Sequence, residues 1–355
     1  MANRKIIPKK GNLSDPNNWR GINFVITFRL QHILKIEGTP VQFGASPDTG
    51  CPDGSFSLKT LLQIRKEHDM ISWVVFVDLI KAFDTINHEM MFKLLSKFGV
   101  PDRLLRVIKK NLPKIGKCKT YVNYSTGVKQ GDNLAPILFI IVMQFLAELL
   151  EKKWRENNLY MPRFKHDTNK FYKKGQLISH MANKHFLTIY ELFLFLYVDD
   201  GATIFSIRND AILVTKICYN EMKRLGLKIY TEIGERSSKT EAVYFPSRSK
   251  IQSWIKNHEE NMLPLIPPSP LDLIVKAKKK PLKNMKHIID RQYSIAPETE
   301  NFSLDENRFI SFTPNFRYLG SWISYDLNDI FDIDSRIKKA NQAMGALIFF
   351  GIPLK

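Results

Sequence analysis

Three cysteines in 355 residues, Cys51, Cys118 and Cys218, are too few and too scattered for a disulfide scaffold or a Cys-rich zinc site. That scarcity points to a reducing intracellular compartment, nuclear or cytoplasmic. Long apolar runs are also missing. The longest, Ile137–Leu150, is interrupted by Gln144 and Glu148 and falls short of the ~18 uninterrupted residues a membrane helix needs. It reads as a buried core helix. The opening Met-Ala-Asn-Arg-Lys-Ile-Ile-Pro holds no apolar signal core, so neither a signal peptide nor a membrane partner is expected. No internal repeat is visible, which argues against a solenoid. Acidic residues are short as well: 35 Asp+Glu against 53 Lys+Arg leave a formal net charge of +18. Such a surplus implies a polyanionic partner, nucleic acid or an acidic surface, and says nothing of fold.

What is present is an ordinary globular complement of 44% hydrophobic and 25% charged residues, enough for a substantial core. Trp73–Ile80 is rich in β-branched and aromatic residues and reads as a buried strand. Helical spacing follows through Met91, Leu94, Leu95 and Phe98, with Gly99 and Pro101 as the stop. Further helices are expected through Leu104–Leu112, Leu134–Leu149 and Ala211–Leu225. Leu192–Tyr197 and Ala202–Phe205 form a hairpin pattern around Val198-Asp199-Asp200-Gly201. No helix is expected between Ile22 and Gln42, and residues 40–54 read as a loop-rich stretch of Pro and Gly. Strands alternating with helices and hairpins indicate an α+β protein with a mixed or antiparallel sheet packed on helices.

Asp78 closes the first strand on the pleat face of Val74 and Phe76, a position where a carboxylate also serves as a simple cap. Asp199 and Asp200 sit side by side at the hairpin tip, where Asp-Asp-Gly is equally a good turn sequence. Adjacent carboxylates repel and resist burial unless a cation compensates. Three of them at neighbouring strand ends make a hard oxygen site suited to Mg²⁺, which takes few carboxylates plus substrate phosphates and water.

Phe76-Val77-Asp78-Leu79-Ile80-Lys81-Ala82-Phe83-Asp84 resembles motif A of reverse transcriptases. Gly127-Val128-Lys129-Gln130-Gly131-Asp132-Asn133-Leu134-Ala135-Pro136 resembles motif B, and Leu196-Tyr197-Val198-Asp199-Asp200-Gly201 the Tyr-x-Asp-Asp box of motif C. Ile7–Gly11 with Trp19–Ile22 before motif A, Ser238–Glu241 after motif C and Phe316–Gly320 near the end fall in family order. The family resembled is the RNA-directed DNA polymerase domain of non-LTR, LINE-type retrotransposons.

That resemblance implies a right-hand polymerase palm with partial fingers and a truncated thumb: 1–70 partial fingers, 71–246 palm, 247–310 a Pro/Lys-rich insertion disordered in part, and 311–355 the primer grip and start of the thumb. It implies Asp78, Asp199 and Asp200 as ligands of two Mg²⁺ ions, with Mn²⁺ as a substitute, and Lys239 as a proton donor to pyrophosphate. Lys9, Lys10, Arg20, Phe83, Gln130 and Gly131 stand at nucleotide-binding positions, Phe83 as the ring that excludes a 2′-hydroxyl. Tyr318, Leu319 and Gly320 stand at the primer grip. The implied partners are an RNA template, a DNA primer and dNTPs.

Read separately from the resemblance, Arg103, Arg106, Lys109, Lys110, Lys114, Lys117 and Lys119 form a one-signed basic stretch with Tyr121 and Tyr124 interleaved, a candidate track for a nucleic-acid backbone. Two other readings stay open: a non-catalytic nucleic-acid-binding remnant of the same fold, and a metal-dependent phosphodiesterase.

Overall fold

A computed structural model describes residues 21–38, 42–44, 49–111, 125–128, 133–159, 162–167, 172–173, 176–177, 187–191, 193–233, 238–261 and 282–349. In chain order the elements are α1 (Gly21–Glu37), α2 (Cys51–Glu67), β1 (Ser72–Val77), α3 (Ala82–Thr85), α4 (His88–Lys97), α5 (Asp102–Asn111) and α6 (Leu134–Glu156). Strands β2 (Arg163–Asp167), β3 (Tyr172–Lys173), β4 (Gln176–Leu177), β5 (Leu187–Glu191), β6 (Leu194–Tyr197) and β7 (Asp200–Phe205) follow, then α7 (Arg208–Arg224). The chain continues with β8 (Glu232–Ile233), β9 (Glu241–Phe245), α8 (Arg248–Asn261), α9 (Leu282–Ile295), β10 (Phe302–Ser303), β11 (Arg308–Phe312), β12 (Asn315–Tyr318), β13 (Ser321–Ser324) and α10 (Ile330–Phe349). The expected α+β class with a mixed sheet is present.

Two compact units emerge. One comprises the described residues up to Gly54 together with Val77–Tyr230, the other Ser55–Phe76 together with the described residues from Thr231 onward.

The first unit is organised on α6, whose residues Ile137, Leu138, Phe139, Ile141 and Leu150 are buried. Among the described residues α6 is the one helix long and apolar enough to cross a membrane, and 72% of that stretch is buried inside the protein, as in a core helix. Helices α1, α4 and α7 pack on it. Trp154, near its end, stacks on Phe205 of β7 at 5.2 Å and tilts against Phe193 at 4.7 Å. In α4 the buried face is Met91, Leu94 and Leu95, and Asn87 Oδ1 caps the helix by accepting from Met90 N at 3.0 Å. The expectation of no helix between Ile22 and Gln42 is corrected: α1 is a helix of 17 residues that buries Ile26 and Leu30. Its β-branched and aromatic content hides it from propensity, and packing against α6 overrides that weak preference.

The second unit holds strands β1, β8, β9, β10 and β11 of a mixed sheet. Strand β1 runs antiparallel to β9 with Ser72 opposite Phe245 and Phe76 opposite Glu241. Strand β11 lies parallel to β9 and antiparallel to both β10 and β8. Every residue of β1 is buried, which is why the run is apolar on both faces. The buried Arg65 closes the α2–β1 connection by donating to Ser72 Oγ at 2.7 Å and to the Ile71 carbonyl at 2.8 Å. Within 247–310 the described residues include α8, α9, β10 and the start of β11, and 262–281 lie outside the described set.

Candidate active site

Asp78 follows directly after β1 and is half-buried. Its carbonyl accepts from Tyr230 N at 2.9 Å, Ile80 N donates to the Lys228 carbonyl at 2.8 Å, and Leu79 pairs with Ile229. These bonds start at the end of α7, where Gly226 at φ +84 reverses the chain and Leu227 N returns to the Met222 carbonyl. The backbone that carries Asp78 is therefore paired with a segment that the helix stop delivers.

Asp199 and Asp200 sit on the β6–β7 hairpin, where Tyr197 pairs with Asp200 and leaves Val198 and Asp199 as a two-residue turn. Val198 adopts φ +58, a strained left-handed conformation for a β-branched residue. Both carboxyls are half-buried. Burial pushes Asp199 above its ordinary value, a backbone hydrogen bond opposing it. Asp200 is pushed from 3.8 to about 6, by burial first, then by the charge of Asp199, then by that of Asp78. Asp200 thus lies within electrostatic reach of both Asp199 and Asp78, the other two carboxylates expected from the sequence. A hydrogen bond with the Cys51 thiol, followed by burial, holds the Tyr197 phenol above its usual range.

Among the described residues no three His, Cys, Asp or Glu side chains close into a ready-made metal cage. No Lys or Arg among them pairs with Asp199 or Asp200 in an ion pair. Asp199 and Asp200, half-buried and without a Lys or Arg in an ion pair, offer with Asp78 the hard oxygen donors that a divalent cation takes.

Motifs A and B are laced together. Val128 N donates to the Phe83 carbonyl at 2.7 Å, Gly127 N to the Ile86 carbonyl at 2.8 Å and His88 N to the Ser125 carbonyl at 2.9 Å. The His88 ring bonds the Gly127 carbonyl at 2.5 Å. Gly127 has φ +88, and a Cβ on it would lie 3.0 Å from the Asp84 carbonyl oxygen, so this crossing requires glycine. Phe83, on α3, packs against Phe139 of α6 with ring centroids 5.1 Å apart. Sequence reasoning missed His88 and the conformational role of Gly127. A glycine before Val128 was visible, but its partner backbone was not.

Gln130 and Gly131 lie outside the described residues, as do Lys9, Lys10, Arg20, Lys114, Lys117 and Lys119. Arg103, Arg106 and Lys109 project from the exposed face of α5 while Ile108 is buried; Lys110 is on the same helix.

Lys239 and the 318–320 segment belong to the second unit. Lys239 is exposed between the buried Ser238 and Thr240, immediately before β9. Tyr318 is buried, its ring 5.4 Å from that of Phe76, so its side chain faces the core of its own unit. Leu319 at φ +47 and Gly320 at φ +85 form the tip of the β12–β13 hairpin, with Tyr318 opposite Ser321. Two successive positive φ values match the right-handed twist of the paired strands.

The other missed residues are Gln42 and Gly44. Gln42 Oε1 accepts from Val198 N at 3.0 Å and from Gly44 N at 2.9 Å. Nothing in a loop-like Pro/Gly stretch signals that partnership.

A sequence model described as reverse transcriptase (RNA-dependent DNA polymerase) matches residues 7–321. A Popillia japonica protein named retrovirus-related Pol polyprotein from type-1 retrotransposable element R2 is 31% identical over 159 residues, covering 40% of this chain and 22% of that protein. The Drosophila melanogaster Pol polyprotein from type-2 retrotransposable element R2DM is 28% identical over 165 residues, covering 42% of this chain and 16% of that one. The chain thus spans about a fifth of the length of the curated relatives it matches. An apo telomerase structure from Candida tropicalis aligns with a TM-score of 0.41 at 12% identity, covering 65% of this chain and 37% of that one.

Proposed function

The chain belongs to the reverse transcriptase (RNA-dependent DNA polymerase) family, and from that premise we propose that it is the RNA-directed DNA polymerase of a retrotransposon-derived element. The observation that carries the proposal is that Asp200 lies within reach of the charges of both Asp199 and Asp78, all three at the motif positions of that family. Asp78 and Asp199 would be the principal holders of Mg²⁺ or Mn²⁺, with Asp200 completing the set. Bound there, the metal pair supplies a lowered pKa for a primer hydroxyl and compensation for charge on the leaving group.

The reaction is attack of a primer 3′-hydroxyl oxygen on the α-phosphorus of a dNTP. A new phosphorus–oxygen bond forms as the hydroxyl proton passes to solvent water, the bond to the α,β-bridging oxygen breaks, and pyrophosphate leaves. Lys239 would give that departing oxygen a proton. Phe83 would exclude a 2′-hydroxyl by overlap, a role its packing on Phe139 supports because a braced ring cannot swing aside. Gln130 and Gly131 would lie against the nucleotide and template. Lys9, Lys10 and Arg20 would hold the triphosphate through charge-assisted hydrogen bonds. Arg103, Arg106 and Lys109 would track a phosphate backbone with Lys110, Lys114, Lys117 and Lys119. The Leu319–Gly320 tip beside Tyr318 would support the primer end. The fingers and thumb belong to the same proposal.

Primer extension on an RNA template in Mg²⁺ or Mn²⁺, comparing wild type with Asp199→Asn, tests this function. Incorporation lost with Asp199→Asn, while salt-dependent RNA binding persists, is expected. A wild type that binds RNA without extending a primer, or that only cleaves nucleic acid, overturns it.

A further inference from the structure

The acidic turn is held from outside its own hairpin. Residues 42–44 run beside β6: Gln42 pairs with Leu196 in parallel and Phe43 N donates to the Leu196 carbonyl at 2.8 Å. The Phe43 ring lies parallel to Phe195 at 6.1 Å. This short edge stops level with Val198, the strained residue that precedes Asp199. There the Gln42 carboxamide, 7% exposed, turns its oxygen onto the Val198 amide and its own downstream Gly44 amide at once. The hairpin ladder ends at the Tyr197–Asp200 pair, so Val198 N–H would otherwise lack a fixed acceptor within the turn. A Cβ on Gly44 would come within 2.6 Å of both Val198 N and Val198 Cγ2, closer than real Cβ atoms approach other atoms. An acceptor on one residue and a missing side chain two residues later meet the same peptide unit.

We propose that Gln42 and Gly44 are positioning residues that clamp the Val198 peptide in its left-handed conformation and so aim the carboxylates of Asp199 and Asp200. The clamp rests on the proposed polymerase function only for its consequence in catalysis; its geometry stands apart from it. The glutamine reaches the metal-binding turn without being a ligand, so its loss should lower turnover and leave substrate affinity alone. A misplacement of catalytic groups by about 1 Å costs on the order of a hundredfold in rate.

The test uses the full chain and two readouts. Hydrogen exchange is followed in the peptide covering 194–201 for wild type, Gln42→Met, Gln42→Glu and Gly44→Ala, with peptides of α8 as a control for folding. Met keeps the shape and removes the acceptor, and Glu keeps an acceptor. Exchange at the turn should quicken at least about tenfold for Gln42→Met and Gly44→Ala and stay near wild type for Gln42→Glu, with α8 unchanged. Primer extension by Gln42→Met should show kcat reduced by about a hundredfold with KM for dNTP and RNA affinity within about twofold of wild type. Turn exchange that is unaltered in both Gln42→Met and Gly44→Ala overturns the clamp. Faster exchange with wild-type kcat overturns its positioning role. If wild type extends no primer, the polymerase assignment fails while the exchange result still decides the clamp.

Discussion

Replacing Asp200 by Asn should make the metal-free protein more stable, although it removes a residue proposed to be essential. The reason is the sign of its proton linkage. A carboxyl near 3.8 in the unfolded chain and about 6 in the fold binds more protons when folded, so stability falls as pH rises from about 4 to 6 and stays reduced above that window. At 1.36 kcal/mol per decade the shift corresponds to about 3 kcal/mol. Because the carboxyl is only half-buried, solvent screening reduces the gain expected from Asp200→Asn to about 1–2 kcal/mol at pH 8. The assay is urea or thermal unfolding in EDTA at pH 4 and pH 8, variant against wild type. The difference should be small at pH 4, where Asp200 is largely protonated in the fold, and emerge at pH 8. Magnesium should then favour the wild type, since a ligand at a hundred times its Kd adds about 2.7 kcal/mol and Asp200→Asn binds it more weakly. A metal-free Asp200→Asn that is less stable than wild type at pH 8 would refute the reasoning. That result would mean that the carboxylate has a favourable partner in the fold and is not held at electrostatic cost.

Two further expectations concern the frame around the site. Gly127→Ala should destabilise the protein by about 1–3 kcal/mol, as the left-handed backbone and the 3.0 Å approach to the Asp84 carbonyl outweigh the entropy Ala removes from the unfolded chain; chemical denaturation showing equal or greater stability would contradict the lacing of motifs A and B. Under native alkylation followed by peptide mass spectrometry, Cys51 at the start of α2 should react well before Cys218, which is buried in α7 with a thiol pushed up to about 12; comparable rates at the two sites would show that α7 opens more readily than its packing implies.

The parts of this molecule legible in the sequence are those whose cause is local. Asp78 and the Asp199–Asp200 pair stood out because charge is abrupt after apolar runs, and a buried strand must end where its first carboxylate meets water. The Gly99 stop and the apolar stretch of α6 likewise carry their cause within a few turns of chain. Helix α1 was hidden because its residues prefer strands in isolation and its helical state depends on α6, more than a hundred positions away. Helices α8 and α9 were masked by their Pro- and Lys-rich surroundings, although Trp254 and Tyr293 are buried. Gln42 illustrates the same limit at the site itself. Its partner Val198 lies 156 residues away, and the need for that partner exists only once the turn has taken a strained φ. Strain of this kind costs on the order of 1–3 kcal/mol and persists only where the surroundings over-determine it. The groups that impose the strain are therefore as much part of the site as the carboxylates, yet they carry no charge to announce them. Titratable side chains are what the acidic centre presents to a ligand, whereas a backbone amide that needs an acceptor and a position with no room for a Cβ are what hold it in place.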